Sequence, residues 1–595
     1  MRKNILTAAA LFLCAVTFAQ TNLNPTVEVT NTYQGDPSAI HKPQIGMAIP
    51  DSLLRFDMDF GYEVFEKPYQ GAYNFKPYML DMKPGKDAYR GRKLYLKAGA
   101  GYSLHPQLDF VFSPDQAGPF QMSVYAGHRS YLGKYNNLIL DRDDQLFKVV
   151  KDPGRSFSGY DIHNSLGFEG SYSFDKAIFS FGAGYDGLMA RDSIFKRSFN
   201  AFDFNARIRS NRNDDKYIYF DLGIDGRIGG DKREGLGKMV SSDSYWDNLS
   251  ERSITLSGEA GPVLSPGQAV LAGFEAQTVS YGGLFESNAG RLALVPKYRM
   301  TYGKLDASLG VRFEVLLYGK VNEGARFPAM FQQKGGVVFP DVRLRYNATD
   351  RLSLFFSATG GNKLNTYSSV LSRHHFINPS ITDNRVRLLD NSVEKVNARI
   401  GVEGNAGDKL QLSVSGGFAL VGNGIVDTGF PVYDITIPAI PAILSFLPTV
   451  SYSDYSMLYA DALVDYSAGN FRLDGGLHLR KMAFKYDSDL GLALPRVSFD
   501  VKGVYDFSSR VYAGVRLQGS GGRKGRCLAP PWINTTSYEL KTPGWFDLGL
   551  LGGWQFNRKL GFWLESGNLL CETIQRSPFY SEKDLWITAG ITLSL

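Results

Sequence analysis

The chain ends on DLWITAGITLSL, residues 584–595, and the reading of this stretch decides the fold. Leu585, Ile587, Ala589, Ile591, Leu593 and Leu595 share one face of an extended strand, and Trp586, Thr588, Gly590, Thr592 and Ser594 share the other. The period is two, with one face oily to the last residue and the other largely polar. Lipid cannot hydrogen-bond a bare backbone edge, so in a membrane the first and last strands of a sheet must pair. The stretch is therefore expected to be the closing strand of a transmembrane barrel.

The same rhythm recurs in RKLYLKAGAGYSL (92–104), KLQLSVSGGFAL (409–420) and FRLDGGLHLR (471–480). Between Arg92 and Leu595 about 22 such segments occur (range 20–24), each of roughly 10–14 residues, the length of a tilted strand crossing an outer membrane. Soluble strands are shorter. Short turns such as Phe174-Asp175-Lys176, Ser265-Pro266-Gly267 and Ser467-Ala468-Gly469-Asn470 follow every second segment. Long polar loops are expected between them, at about 133–157, 229–251, 361–391, 422–454 and 521–545. Tight turns on one side and long loops on the other are the asymmetry of an outer-membrane barrel, with the turns in the periplasm. The expected class is all-β, a transmembrane antiparallel β-barrel. A soluble propeller or sandwich would also alternate, but no repeat of 40–50 residues is evident.

Composition agrees: 64 Gly, 33 Tyr and 40 Phe are spread along the chain, as in a long antiparallel sheet. The opening MRKNILTAAALFLCAVTFAQ has basic Arg2 and Lys3, an apolar stretch and small Thr17 and Ala19, which reads as a signal peptide over 1–19. Leu13 stands where a lipid-attachment site at Cys14 would need a small residue. The expected organisation is then a periplasmic or lumenal segment over 20–91 and a barrel over 92–595. A net charge of +6 offers no support for a nucleic-acid partner.

Little points to catalysis. His374 and His375 are adjacent, so their side chains diverge, and His163 and Glu169 are too far apart on one strand to touch. DRDD, residues 141–144, lacks the glycine and distal glutamate of a calcium loop. Neither an enzyme, a cofactor nor a metal site is expected. Alternation alone places Lys97, Arg472, Asp474 and Arg480 on the lumen side, where they would set selectivity. Cys527 and Cys571 fall in the last two long loops, on one side of the membrane, where a disulfide is allowed if the backbones approach closely enough. The basic runs 231–233 and 522–526 either meet lipopolysaccharide phosphates or an anionic solute, or are simply solvated.

ITIPAIPAILSFLP, residues 435–448, places Ile435, Ile437, Ile440, Ile443, Leu444, Phe446 and Leu447 in an outside loop whose prolines exclude a helix or central strand. Such a loop either docks a partner or folds over the pore.

The last 36 residues, LGFWLESGNLLCETIQRSPFYSEKDLWITAGITLSL, resemble the final two strands of TonB-dependent receptors, with Gly567-Asn568-Leu569-Leu570 leading out of the penultimate one. HHFINPSITDN, with Asn378 and Pro379, is similar to a loop of the same family. The resemblance implies a receptor-like transporter barrel whose apolar loop meets a surface lipoprotein or another outer-membrane protein. It also implies an energising periplasmic partner, for which VEVTN (27–31) would be the grip. Residues 20–91 are too few for the family's complete plug. Passage of a solute is the leading functional expectation; a non-transporting scaffold and a passive porin are the alternatives.

Overall fold

The computed structural model describes residues 93–595, apart from 115–117, 144–145, 194, 212–217, 236–245, 284–286, 319–330, 332–334, 378–388, 407–408, 434–442, 487–488 and 529–536. The signal peptide over 1–19, the segment 20–91 and VEVTN lie outside the described residues.

Twenty-two antiparallel strands form one closed wall. Leu94–Tyr102 pairs with Gln107–Phe112 on one side and with Trp586–Ser594 on the other, Ala98 opposite Ile591. The seam is completed by reciprocal backbone bonds, Leu94 N to Leu595 O at 3.1 Å and Leu595 N to Leu94 O at 2.9 Å. Three further short strands, Gly491–Leu492, Arg523–Leu528 and Ser537–Thr542, stand outside the wall circuit. No helix among the described residues is long and apolar enough to cross a membrane.

The two phases of each strand meet different surroundings. Leu166, Phe202, Ile228, Leu294, Val315, Ile400 and Leu458 are each more than half exposed on the outer phase. In water so large an apolar surface would drive association; in hydrocarbon it is the solvated state. Phe174, Tyr302, Phe507 and Phe556 stand exposed at the short turns, the position of an interfacial aromatic girdle. The inner phase carries ion-pair ladders, among them Arg312 to Glu275 at 2.5 Å and Arg345 to Glu403 at 2.7 Å.

Three of the expected long loops are largely strand. Residues 133–157 belong to the hairpin Phe120–Asp143 and Leu146–Ser173, and 422–454 to Leu410–Tyr433 and Ile443–Ala468. Residues 229–251 extend Ile218–Gly235 and Trp246–Ser265. In two of these hairpins a register shift, at Asn136/Leu138 and at Val421/Gly424, breaks the two-residue alternation while the backbone ladder continues. Residues 443–448 likewise continue a ribbon, with Pro448 opposite Gly429. Proline is tolerated there because pairing to the neighbouring strand, Phe471–Phe484, begins only at Tyr455.

At the seam, Trp563 lies across Gly99 and Gly590 and donates its indole N–H to the Ile591 carbonyl at 3.2 Å. A Cβ on Gly101 would overlap the Ile587 carbonyl. Gly101→Val is expected to destabilise the barrel by about 1–3 kcal/mol through overpacking. The check is the heat-modified mobility shift and urea midpoint of the refolded protein; an unchanged midpoint would count against the seam.

Candidate functional site

The wall is roofed at its outer mouth by two extracellular segments. The first leaves the wall after Leu352–Leu364 and carries a short helix, α1, Tyr367–Leu371, whose N-cap Thr366 accepts from the Ser369 backbone N–H. It crosses the mouth to strands on the far side. Arg197, fully buried, donates to the carbonyls of His375, at 2.6 Å, and Ile377, and lies 3.2 Å from Asp231. Tyr367 donates its hydroxyl to Asp231, while Glu251 accepts from the Ser368 hydroxyl and from Tyr281 at 2.8 Å. Tyr367, Val370, Leu371 and Ile377 pack into an apolar cluster with Leu188, Phe199, Val279 and Val450 from the wall and ribbons.

The second roof segment, 568–585, precedes the closing strand. Ser581 donates to the Asn136 carbonyl at 2.7 Å, and Arg576 pairs with Asp547 at 2.6 Å and Glu582 at 3.3 Å. The two segments meet where Phe376 and Tyr580 stack, ring centroids 3.8 Å apart and planes 16° from parallel. Asp427 ties them from the side. It binds Arg373 at 3.0 Å and Arg523 at 3.1 Å, and Arg523 also donates to the Arg576 carbonyl at 3.1 Å. Between the segments lies a cavity of about 40 Å³ bordered by Tyr135, Asp161, His374, Phe376, Tyr580 and Glu582. At roughly 10–15 Å³ per water it holds a few waters and no solute.

Titratable groups sit inside the roof. Burial alone would push His375 down, but the Asp161 carboxylate 2.8 Å away holds it above its ordinary value. Burial raises Glu582 to about 7, and burial lowers His374 to about 3.

The residues singled out from sequence fall elsewhere. Lys97 pairs with Glu565 at 2.6 Å over the Trp563 ring, Arg472 with Asp506 at 3.1 Å, and Arg480 with Asp461 at 2.6 Å. Asp474 faces Lys502 across the ladder. All four occupy the polar face of the wall, opposite such exposed residues as Leu477 and Leu479, and none joins the roof. Ile435, Ile437 and Ile440 lie outside the described residues; Ile443, Leu444, Phe446 and Leu447 lie on the ribbon backbone. No disulfide joins Cys527 and Cys571: Cys527 is buried with Val149, Leu492 and Phe579, whereas Cys571 is exposed. The basic runs are divided too, since Arg233 and Arg523 are buried. His163 pairs with Asp186 at 2.6 Å rather than with Glu169. The roof anchors Arg197, Asp231 and Glu251 escaped sequence reasoning; their signal is charge on the inner phase near the outer strand ends.

No protein-family model and no curated protein sequence matches the chain. Solved structures do match. The pyoverdine outer membrane receptor FpvA from Pseudomonas aeruginosa is 12% identical with a TM-score of 0.58, covering 85% of this chain and 78% of its own. The FrpB iron transporter from Neisseria meningitidis is 10% identical, with a TM-score of 0.60 over 86% of this chain and 83% of its own. The copper transporter OprC is 12% identical, with a TM-score of 0.58 over 85% and 80%. These neighbours are TonB-dependent outer-membrane receptors, and the present chain shares the fold of their 22-stranded barrel.

Two outcomes follow for the roof. Arg197→Met leaves Asp231 buried without its cation, a loss of about 3–5 kcal/mol. Hydrogen exchange over 366–377 should then accelerate at least ~100-fold, and unchanged exchange would refute the anchoring. The roof also responds to pH. His375, raised in the closed roof, contributes fully below about 6.5, and that contribution fades as pH rises through its elevated value. Glu582, raised to about 7, adds a growing charge cost in the closed roof as pH climbs from its ordinary range through 7. Exchange over 366–377, corrected for intrinsic rates, is expected to quicken from pH 6.5 to 9, with a smaller change in His375→Gln.

Proposed function

We propose that this protein is a receptor-type barrel through which a solute passes across the outer membrane once its roof opens. One observation carries the reading: a wide wall with a charged inner face is covered by two segments that are tied down by discrete ion pairs at their edges, beside one apolar cluster. Such a cover separates along polar contacts that water or a solute can replace. The receptor-type neighbours, described as handling pyoverdine, iron and copper, support the class and leave the solute of this chain open.

A scaffold role is the second reading, favoured by the ribbons that rise above the wall, chiefly Leu410–Tyr433 with Ile443–Ala468. Such ribbons present surface to a lipoprotein or a neighbouring barrel.

Planar-bilayer recording of the purified chain separates these readings. Near-zero conductance in the parent protein and discrete openings after replacement of 366–377 by a Gly/Ser linker are expected. A wide open pore in the parent would favour a passive porin. Silence in both proteins, together with a co-purifying partner, would favour the scaffold.

A further inference from the structure

The outer wall carries a feature that solute passage does not use. On the strands Ala177–Arg191, Phe195–Ser210, Ile218–Gly235 and Trp246–Ser265, the outer phase holds Arg191, Lys196, Lys232 and Arg252. Each stands 13 or 14 residues from the residue that ends its strand at the periplasmic turn. Below each cation the outward side chains on its strand are mostly apolar or glycine, such as Tyr185 and Met189 under Arg191, Phe202 and Ile208 under Lys196, Leu222 and Ile228 under Lys232, and Ile254 and Leu256 under Arg252. At about 3.3 Å per residue and a tilt near 40°, the cations lie roughly 34 Å above the periplasmic turns. That is just beyond an apolar band of about 25 Å, at the level of outer-leaflet headgroups.

The charge at this level is one-sided. Arg191 lies directly opposite Lys196, a like-charge pair that Glu234 meets on the Lys196 side only. Glu234 pairs with Lys196; Arg191, Lys232 and Arg252 are exposed, and none of these three meets a carboxylate among the described residues. The arc extends to exposed Lys134, 14 residues above Phe120 on the strand Phe120–Asp143. It ends on the other side, where the next two strands carry Gly282 and Asn288 at this level. Across the barrel the equivalent Lys485 faces Asp454 at 3.7 Å and is neutralised. A cationic arc over apolar strands matches a lipid whose acyl chains cover the wall while its phosphates lie above them.

We infer that the arc formed by Arg191, Lys232 and Arg252 is a docking surface for a phosphorylated glycolipid of the outer leaflet. The guanidinium and ammonium groups bind its phosphates, and the apolar wall beneath binds its chains.

The test uses the full chain in mild detergent, with bisphosphorylated lipid A and the same lipid after enzymatic dephosphorylation as probes, read by native mass spectrometry. The parent protein is expected to hold the bisphosphorylated form at least ~10-fold more tightly. The triple variant Arg191→Gln, Lys232→Gln, Arg252→Gln should lose most of that preference while keeping its heat-modified mobility. Lys485→Gln, at the neutralised position, should keep the preference in full. Equal retention of both lipids by the parent would overturn the inference. So would an undiminished preference in the triple variant, or an equal loss in Lys485→Gln.

Discussion

The structure rests on one constraint: a backbone amide or carbonyl facing hydrocarbon has no water to bond, so every membrane-level strand must be paired on both edges. The seam between Leu94–Tyr102 and Trp586–Ser594 meets that demand for the two ends of the sheet. Closure then dictates the rest. Once the sheet is a cylinder, the period-two alternation sorts side chains between lipid and lumen. Successive strands are joined by tight turns on one side and by longer excursions on the other.

The excursions are stable because they remain sheets or bury charge in pairs. The ribbons continue their ladders beyond the membrane and bury apolar residues of their own, among them Leu138, Val149, Ile425 and Val450. Among its described residues the first roof segment has one turn of helix, and wall side chains that reach inward bond its backbone: Arg197 two carbonyls, Glu251 the Ser368 N–H, Tyr281 the Tyr367 N–H. A wet, charged inner wall thus serves as the partner of the roof. The ion pairs at the edges of the cover are contacts that water can replace.

The wall was legible in the sequence because its signal is local and repeated. The phase of Phe471, Leu473, Leu477 and Leu479 against Arg472, Asp474 and Arg480 recurs along the chain, and each strand reports independently on the same environment. The ribbons read as loops in the sequence because register shifts at Asn136/Leu138 and Val421/Gly424 break the alternation while the pairing continues. The roof was not legible, since its contacts join residues far apart in sequence: Arg197 and His375 are separated by 178 positions, Asn136 and Ser581 by 445. Runs of like residues misled for the same reason. Arg233 and Lys232 are neighbours in sequence yet lie on opposite faces, one buried and the other exposed on the outer phase.

The barrel stands or falls with which phase of the closing strand meets lipid. Single spin labels placed in turn at positions 587–594, in a chain whose Cys527 and Cys571 are replaced by serine, report this by collision with oxygen or with a water-soluble nickel chelate. Oxygen access should peak at 587, 589, 591 and 593, and nickel access at 588, 590, 592 and 594, in register with the exposed Ile587 and Ile591. A flat profile, or nickel access at the odd positions, would contradict a barrel whose outer phase is solvated by hydrocarbon.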